Sequence, residues 1–131
     1  MNTKLGKILA EISAGELIDK ITILEIKENK IIDKTKLANV RKELGSLNNT
    51  LNKFIPDLSK IIELKVSLKE INLKLWSIED SKRNAEKIKN FGNNFIELAR
   101  NVYKFNDERA KLKLQINKLL GSNIQEVKSY E

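Results

Sequence analysis

Four polar side chains, Asn106, Arg109, Lys113 and Asn117, recur at steps of three and four residues. On a helix that spacing stacks them on one face, along the line of Phe95, Val102 and Leu120. The ladder therefore points where an apolar stripe would meet a neighbouring helix, and charges held there need partners. Counter-charge is available from two other segments. Glu25 falls between Ile18 and Ile32 in the main apolar arc of an N-terminal helix. Asn72, Glu79 and Arg83 share the arc of Ile61, Leu68 and Leu75 in a later one, with Trp76 at its edge. Convergent Arg, Lys and carboxylate groups are what pockets for polar and anionic ligands use. The candidate ligand-binding residues are Glu25, Glu79, Arg83, Asn106, Arg109 and Lys113, and the candidate ligand is an anionic small molecule. The same residues can instead be buried pairs that fix helix register, as single polar core residues do in coiled coils.

Composition narrows the chemistry. The chain of 131 residues has no Cys and no His. Thiol catalysis, disulfides, Ser-His and Cys-His dyads and the common zinc and haem sites are thereby excluded. Only carboxylates could hold a metal, and no loop has calcium-binding spacing, so no metal, cofactor or catalytic residue is assigned. The net charge of +7 and pI near 9.5 invite a nucleic-acid reading. Lys, Asn and Ile together make up about two fifths of the chain, a bias that an AT-rich genome produces without any partner. The basic residues are also interspersed with Glu and Asp, with no run of five, so they read as solvated faces. No apolar run approaches the ~20 residues that span a bilayer, and Ile8-Leu9-Ala10, interrupted by Glu11, is too short for a signal peptide. A cytoplasmic protein without a membrane segment is expected.

The elements that position these residues follow from periodicity. Ser13 and Glu16 form a capping box that opens a helix over about 14–32. It is apolar nearly all round (Leu17, Ile18, Ile21, Ile23, Leu24, Ile26) yet carries Asp19, Lys20, Thr22 and Glu25. That pattern marks an inner helix; Gly15 in its first turn is either slack in the cap or a point of close backbone approach, and the positive N-terminus is able to bind an anion. A second helix repeats at Leu37, Val40, Leu44, Leu47, Leu51 and Phe54, a heptad seam ended by Pro56. Pro56 and Asp57 also suit the first turn of a third helix, with its seam at Ile61, Leu64, Leu68, Ile71, Leu75 and Ile78. The short connection predicts that the second and third helices form an antiparallel hairpin. Residues 91–94 read as a loop, and a fourth helix repeats at Phe95, Leu98, Val102, Phe105, Leu112, Ile116 and Leu119, stopped by Gly121. Trp76 and Tyr103 read as packing residues. The ends, 7–12 and 124–128, are β-compatible and suited to a small two-stranded ribbon.

The segments ISAGELIDKITILEIK (12–27), KLANVRKEL (36–44), LWSIED (75–80), FIELARNVYKFNDERAKLKLQIN (95–117) and EVKSY (126–130) resemble a family of small bacterial and phage-associated proteins catalogued as a domain of unknown function. The resemblance spans nearly the whole chain in order and implies a compact helical protein with no assigned activity. Its motif residues here are Ser13, Gly15, Glu16, Asp19, Lys20, Thr22, Glu25 and Lys27. The later motifs add Trp76, Glu79, Asp80, Tyr103, Asn106, Asp107 and Arg109, then Lys128, Ser129 and Tyr130 of the tail. The family's corresponding segment ends at a run of acidic residues near position 80, and here Ser81-Lys82-Arg83 follows directly.

Together these readings predict a single all-α domain over 1–131, a four-helix bundle built on a long antiparallel hairpin. The expected role is a non-catalytic binding or interaction module that takes an anionic small molecule or a protein partner. A homodimer is expected because heptad seams of this length leave more apolar surface than one chain covers. The alternative is a small all-helical isomerase or lyase resembling chorismate mutases, since ELIDKITILEIK (16–27) has a passing likeness to their opening helix. The basic residues of that helix are missing, as no Arg precedes Arg41.

Overall fold

The structure, a computed structural model, describes residues 4–128. Four helices account for its regular structure: α1 (Ala14–Lys30), α2 (Lys34–Phe54), α3 (Ile62–Lys87) and α4 (Asn93–Leu120). The all-α bundle expected from periodicity is present, and no strand occurs among the described residues.

Local chemistry sets most of the boundaries. The hydroxyl of Ser13 accepts from the Glu16 N–H at 3.0 Å, and the Asp33 carboxylate accepts from the Lys36 N–H at 2.9 Å. Each cap supplies a partner for an amide that the helix cannot satisfy itself. Gly121 closes α4 at φ +64°, the left-handed conformation that glycine adopts without a Cβ penalty. One start differs from expectation. The Asp57 carboxylate accepts from the Ser59 N–H at 2.9 Å and the Ile61 N–H donates to the Leu58 carbonyl. These local bonds make a turn after Pro56 and delay α3 to Ile62.

The helices assemble around α1. It packs against all three others, α3 packs against α4, and α2 packs on α1 alone. The expected pairing of α2 with α3 is thus corrected: the long antiparallel hairpin is α3 with α4, joined by residues 88–92. The all-round apolar pattern of α1 is the reason. A helix with isoleucine on every side must be covered on every side, so α2 takes one side of it and the α3/α4 pair the other. The core joins Leu17, Ile18, Ile21 and Leu24 with Val40, Leu44 and Leu51, Ile61 and Leu68, and Ile116, so all four helices contribute.

The terminal ribbon does not form. Residues 7–12 and 124–128 exchange no backbone hydrogen bonds; the first segment is tied instead to Asn123, whose Nδ2 donates to the Glu11 carboxylate at 2.6 Å. The Ser129 and Tyr130 of the closing motif lie outside the described residues.

Candidate functional site

Asp19 occupies the middle of α1 and is fully buried, at 0% exposure. A carboxylate in that position costs several kcal/mol unless donors replace its water. α3 and α4 provide them. Asn72 Nδ2 donates to Asp19 at 2.9 Å and to the Thr22 hydroxyl at 2.9 Å, while that hydroxyl donates to the Asp19 backbone carbonyl at 2.8 Å. From α4, Arg109 Nε bridges both Asp19 oxygens at 3.0 and 3.1 Å and one terminal guanidinium nitrogen donates to the same carboxylate. The other terminal nitrogen donates to Asn106 at 3.4 Å. Hydrogen bonding to Asp19 holds the Arg109 guanidinium above its ordinary pKa, with the charges of Asp19 and Glu16 adding to it and burial opposing it.

One turn further along α4, Lys113 pairs with Glu16 and stands 4.0 Å from both Asp19 and Glu126. Asn117, fully buried, accepts from the Gly15 N–H at 2.6 Å and donates to the Gln125 carbonyl at 2.7 Å. The chain after Gly121 folds back over the start of α1: Ser122 accepts from the Ala14 N–H at 3.0 Å, and Ser13 donates to the Glu126 carboxylate. The first amides of α1 therefore have side-chain or backbone acceptors from within the chain: Ser122, Asn117, Ser13 and, for Leu17, the Ser13 carbonyl. No N–H remains for an external anion, so the helix-terminus site suggested by sequence is filled by the protein itself. Glu16 also departs from the capping box, since its carboxylate goes to Lys113 and Lys20.

Of the six residues expected at one site, the structure brings three together: Asn106, Arg109 and Lys113. The other three lie elsewhere. Glu25 is six residues beyond Asp19, about 120° round the helix, and pairs with Lys65 and Lys69 of α3 at 3.9 and 3.5 Å. Glu79 and Arg83 pair with one another at 3.1 Å on the surface of α3, at 51% and 75% side-chain exposure. They do share the face of Asn72, but α1 ends short of them and the arc opens to solvent. The counter-charge for the α4 ladder is Asp19, which periodicity alone did not select. A signal for it existed: Gly15, Asp19 and Thr22 recur at four and three residues, a small and polar stripe on a helix otherwise filled with isoleucine.

Behind this buried cluster lies an open cleft of about 560 Å³ between α4 and the returning C-terminal segment. Arg109, Lys111, Lys113 and Lys128 bring positive charge to its walls, Asp107 and Glu126 negative charge, and Asn106 and Asn117 amides. Among the described residues no group of three or more carboxylates is placed to hold a metal ion, and no helix is long and apolar enough to cross a membrane.

A family model described as a family of unknown function (DUF6165) matches residues 8–131. No curated protein and no solved structure matches the chain.

Proposed function

The chain belongs to this family of unknown function, and we propose that it is a non-catalytic helical interaction module that takes an anionic group in the cleft beside α4. The observation that carries this is the double role of Arg109 and Lys113. One side of each cation is anchored on a carboxylate of α1, Asp19 or Glu16, and both line the open cleft. Cations held in place before a ligand arrives lose little conformational entropy on binding it. Lys111 adds a third cation and Asn106 an amide donor. Asp107 and Glu126 on the same walls oppose the anion, so the affinity expected is of millimolar order, about 4 kcal/mol.

The isomerase or lyase alternative draws no support from this arrangement. Chemistry of that kind needs a substrate enclosed in a dry interhelical cavity, and the space beside Arg109 and Lys113 is an open cleft between α4 and the C-terminal segment. The partners of such a module are the anion in the cleft and another protein chain on the part of the α3/α4 hairpin that α1 leaves bare.

Thermal unfolding in phosphate and citrate, compared with chloride at equal ionic strength, tests the cleft. The midpoint should rise with the polyvalent anions in the unaltered protein and should not rise in Lys111→Gln or Lys113→Gln. Equal midpoints in all three salts for the unaltered protein would remove the anion from the proposal.

A further inference from the structure

The α3/α4 hairpin is much longer than the helix that covers it. At 1.5 Å per residue α3 and α4 reach roughly 39 and 42 Å, while α1 reaches only about 26 Å. Every hydrogen bond and ion pair from α1 to the hairpin falls on residues 65–72 of α3 and 109–117 of α4. Beyond them, from 73 to 106, Ile78 is the one buried residue. The seam of that distal half, Leu75, Phe95, Leu98 and Val102, is only half-buried. Two helices alone bury a single line of contact, and helical stability in water comes chiefly from packing an apolar face against a further layer. The distal half has the sequence of a packed bundle and lacks that layer.

We propose that a second copy of this chain supplies it, the distal halves of two hairpins packing as an intermolecular four-helix bundle. This goes beyond the anion cleft and does not depend on it. Three observations favour a second copy. The surface of the chain is 9811 Å², whereas a compact monomer of 15.1 kDa exposes only ~7,100 Å². That excess comfortably exceeds the roughly 800 Å² per partner of a standard interface, and the bare hairpin contributes to it together with the extended segment 4–12. Next, the exposed face continues in register from the one that α1 occupies, since Glu79 follows Asn72 by seven residues and Trp76 lies between them. Finally, both distal helices carry charges of each sign. On α3 Glu79 is paired with Lys82 and Arg83 while Asp80 has no ion pair among the described residues; on α4 Arg100, also without one, lies between the exposed Ile96 and Tyr103 at steps of four and three. A two-fold axis places α3 of one copy beside α4 of the other, so Asp80 of each copy can meet Arg100 of the other.

Light scattering across micromolar to submillimolar concentration tests the interface. The unaltered protein should show twice 15.1 kDa. Ile96→Glu and Tyr103→Glu change residues that are exposed in the single chain, at 49% and 58%, so helical circular dichroism should persist while the mass halves. Leu119→Glu, at the opposite end of α4 and equally exposed, should leave the mass doubled. Trp76, the sole tryptophan, gives a second readout: its emission should be red-shifted in folded Ile96→Glu relative to the unaltered protein. A one-chain mass at every concentration would overturn the proposal and leave this face to a foreign chain. So would a dimer that Leu119→Glu dissociates and both distal variants spare.

Discussion

Replacing Arg109 with Met tests the buried cluster most directly, because the side chain keeps an unbranched apolar stem and loses its charge and donors. In the unaltered protein Asp19 has no exposure, and Arg109 donates three hydrogen bonds to its two oxygens. Removing one partner of such a pair leaves a buried charge uncompensated, which typically costs 3–5 kcal/mol. Lys113 stands 4.0 Å from Asp19 and is already engaged by Glu16; by turning inward it can replace part of the lost charge. The low end of the range, about 3 kcal/mol, is therefore expected. For a domain of this size that corresponds to a fall in melting temperature on the order of 10 °C. Urea unfolding is the assay: the midpoint should drop with little change in slope, since the surface exposed on unfolding is nearly the same. Adding Asp19→Asn to Arg109→Met should recover a large share of the loss, because an amide needs no cation. Arg83→Met is the internal control. Its side chain is 75% exposed and paired only with Glu79 on the same helix, so it should cost no more than about 0.5 kcal/mol. A loss below about 1 kcal/mol for Arg109→Met, or a double variant no more stable than the single one, would refute the assignment of Asp19 and Arg109 as the charge pair that ties α1 to α4.

Two further outcomes follow from the same structure. Gly15→Ala, which in most helices stabilises by about 0.5–1 kcal/mol, should here destabilise by roughly 1–3 kcal/mol. The added methyl would collide with the Lys113 backbone carbonyl and lie 2.9 Å from Asn117 Oδ1; thermal melts read the sign. Asp57 should titrate below its ordinary 3.8, because the Ser59 N–H, the Ser59 hydroxyl and the charge of Lys60 all favour its ionised form. A lowered folded-state value means that the carboxylate supports the turn after Pro56 above 3.8 and loses that support as pH falls through the folded value. Carbon-detected NMR of the Asp57 carboxyl measures this, and Ser59→Ala should move the value only part of the way back up, since the backbone N–H remains.

Much of this architecture was legible one helix at a time. The 3-and-4 repeats placed four helices within a few residues of their ends except at the start of α3, and Ser13 and Gly121 bound α1 and α4 as a side-chain oxygen and an unhindered backbone should. The all-round apolar pattern of α1 announced an inner helix, and the inward polar ladder of α4 is where Asn106, Arg109 and Lys113 stand. These are local properties, set by the 3.6-residue period and by the chemistry of single side chains.

Partnership between helices is a different quantity, and only the tertiary structure decided it. Glu79 and Arg83 occupy the correct face of α3 for a buried cluster, yet they are exposed because α1 stops before reaching them. Glu25 lies on a largely apolar helix but turns toward Lys65 and Lys69 rather than Arg109. The α2 and α3 seams match in spacing and do not pair. A helical wheel records angle and discards height, and which carboxylate meets which cation depends on the lengths and offsets of three helices together. That is why Asp19, one polar side chain among isoleucines, became the centre of the cluster once α3 and α4 were laid across it.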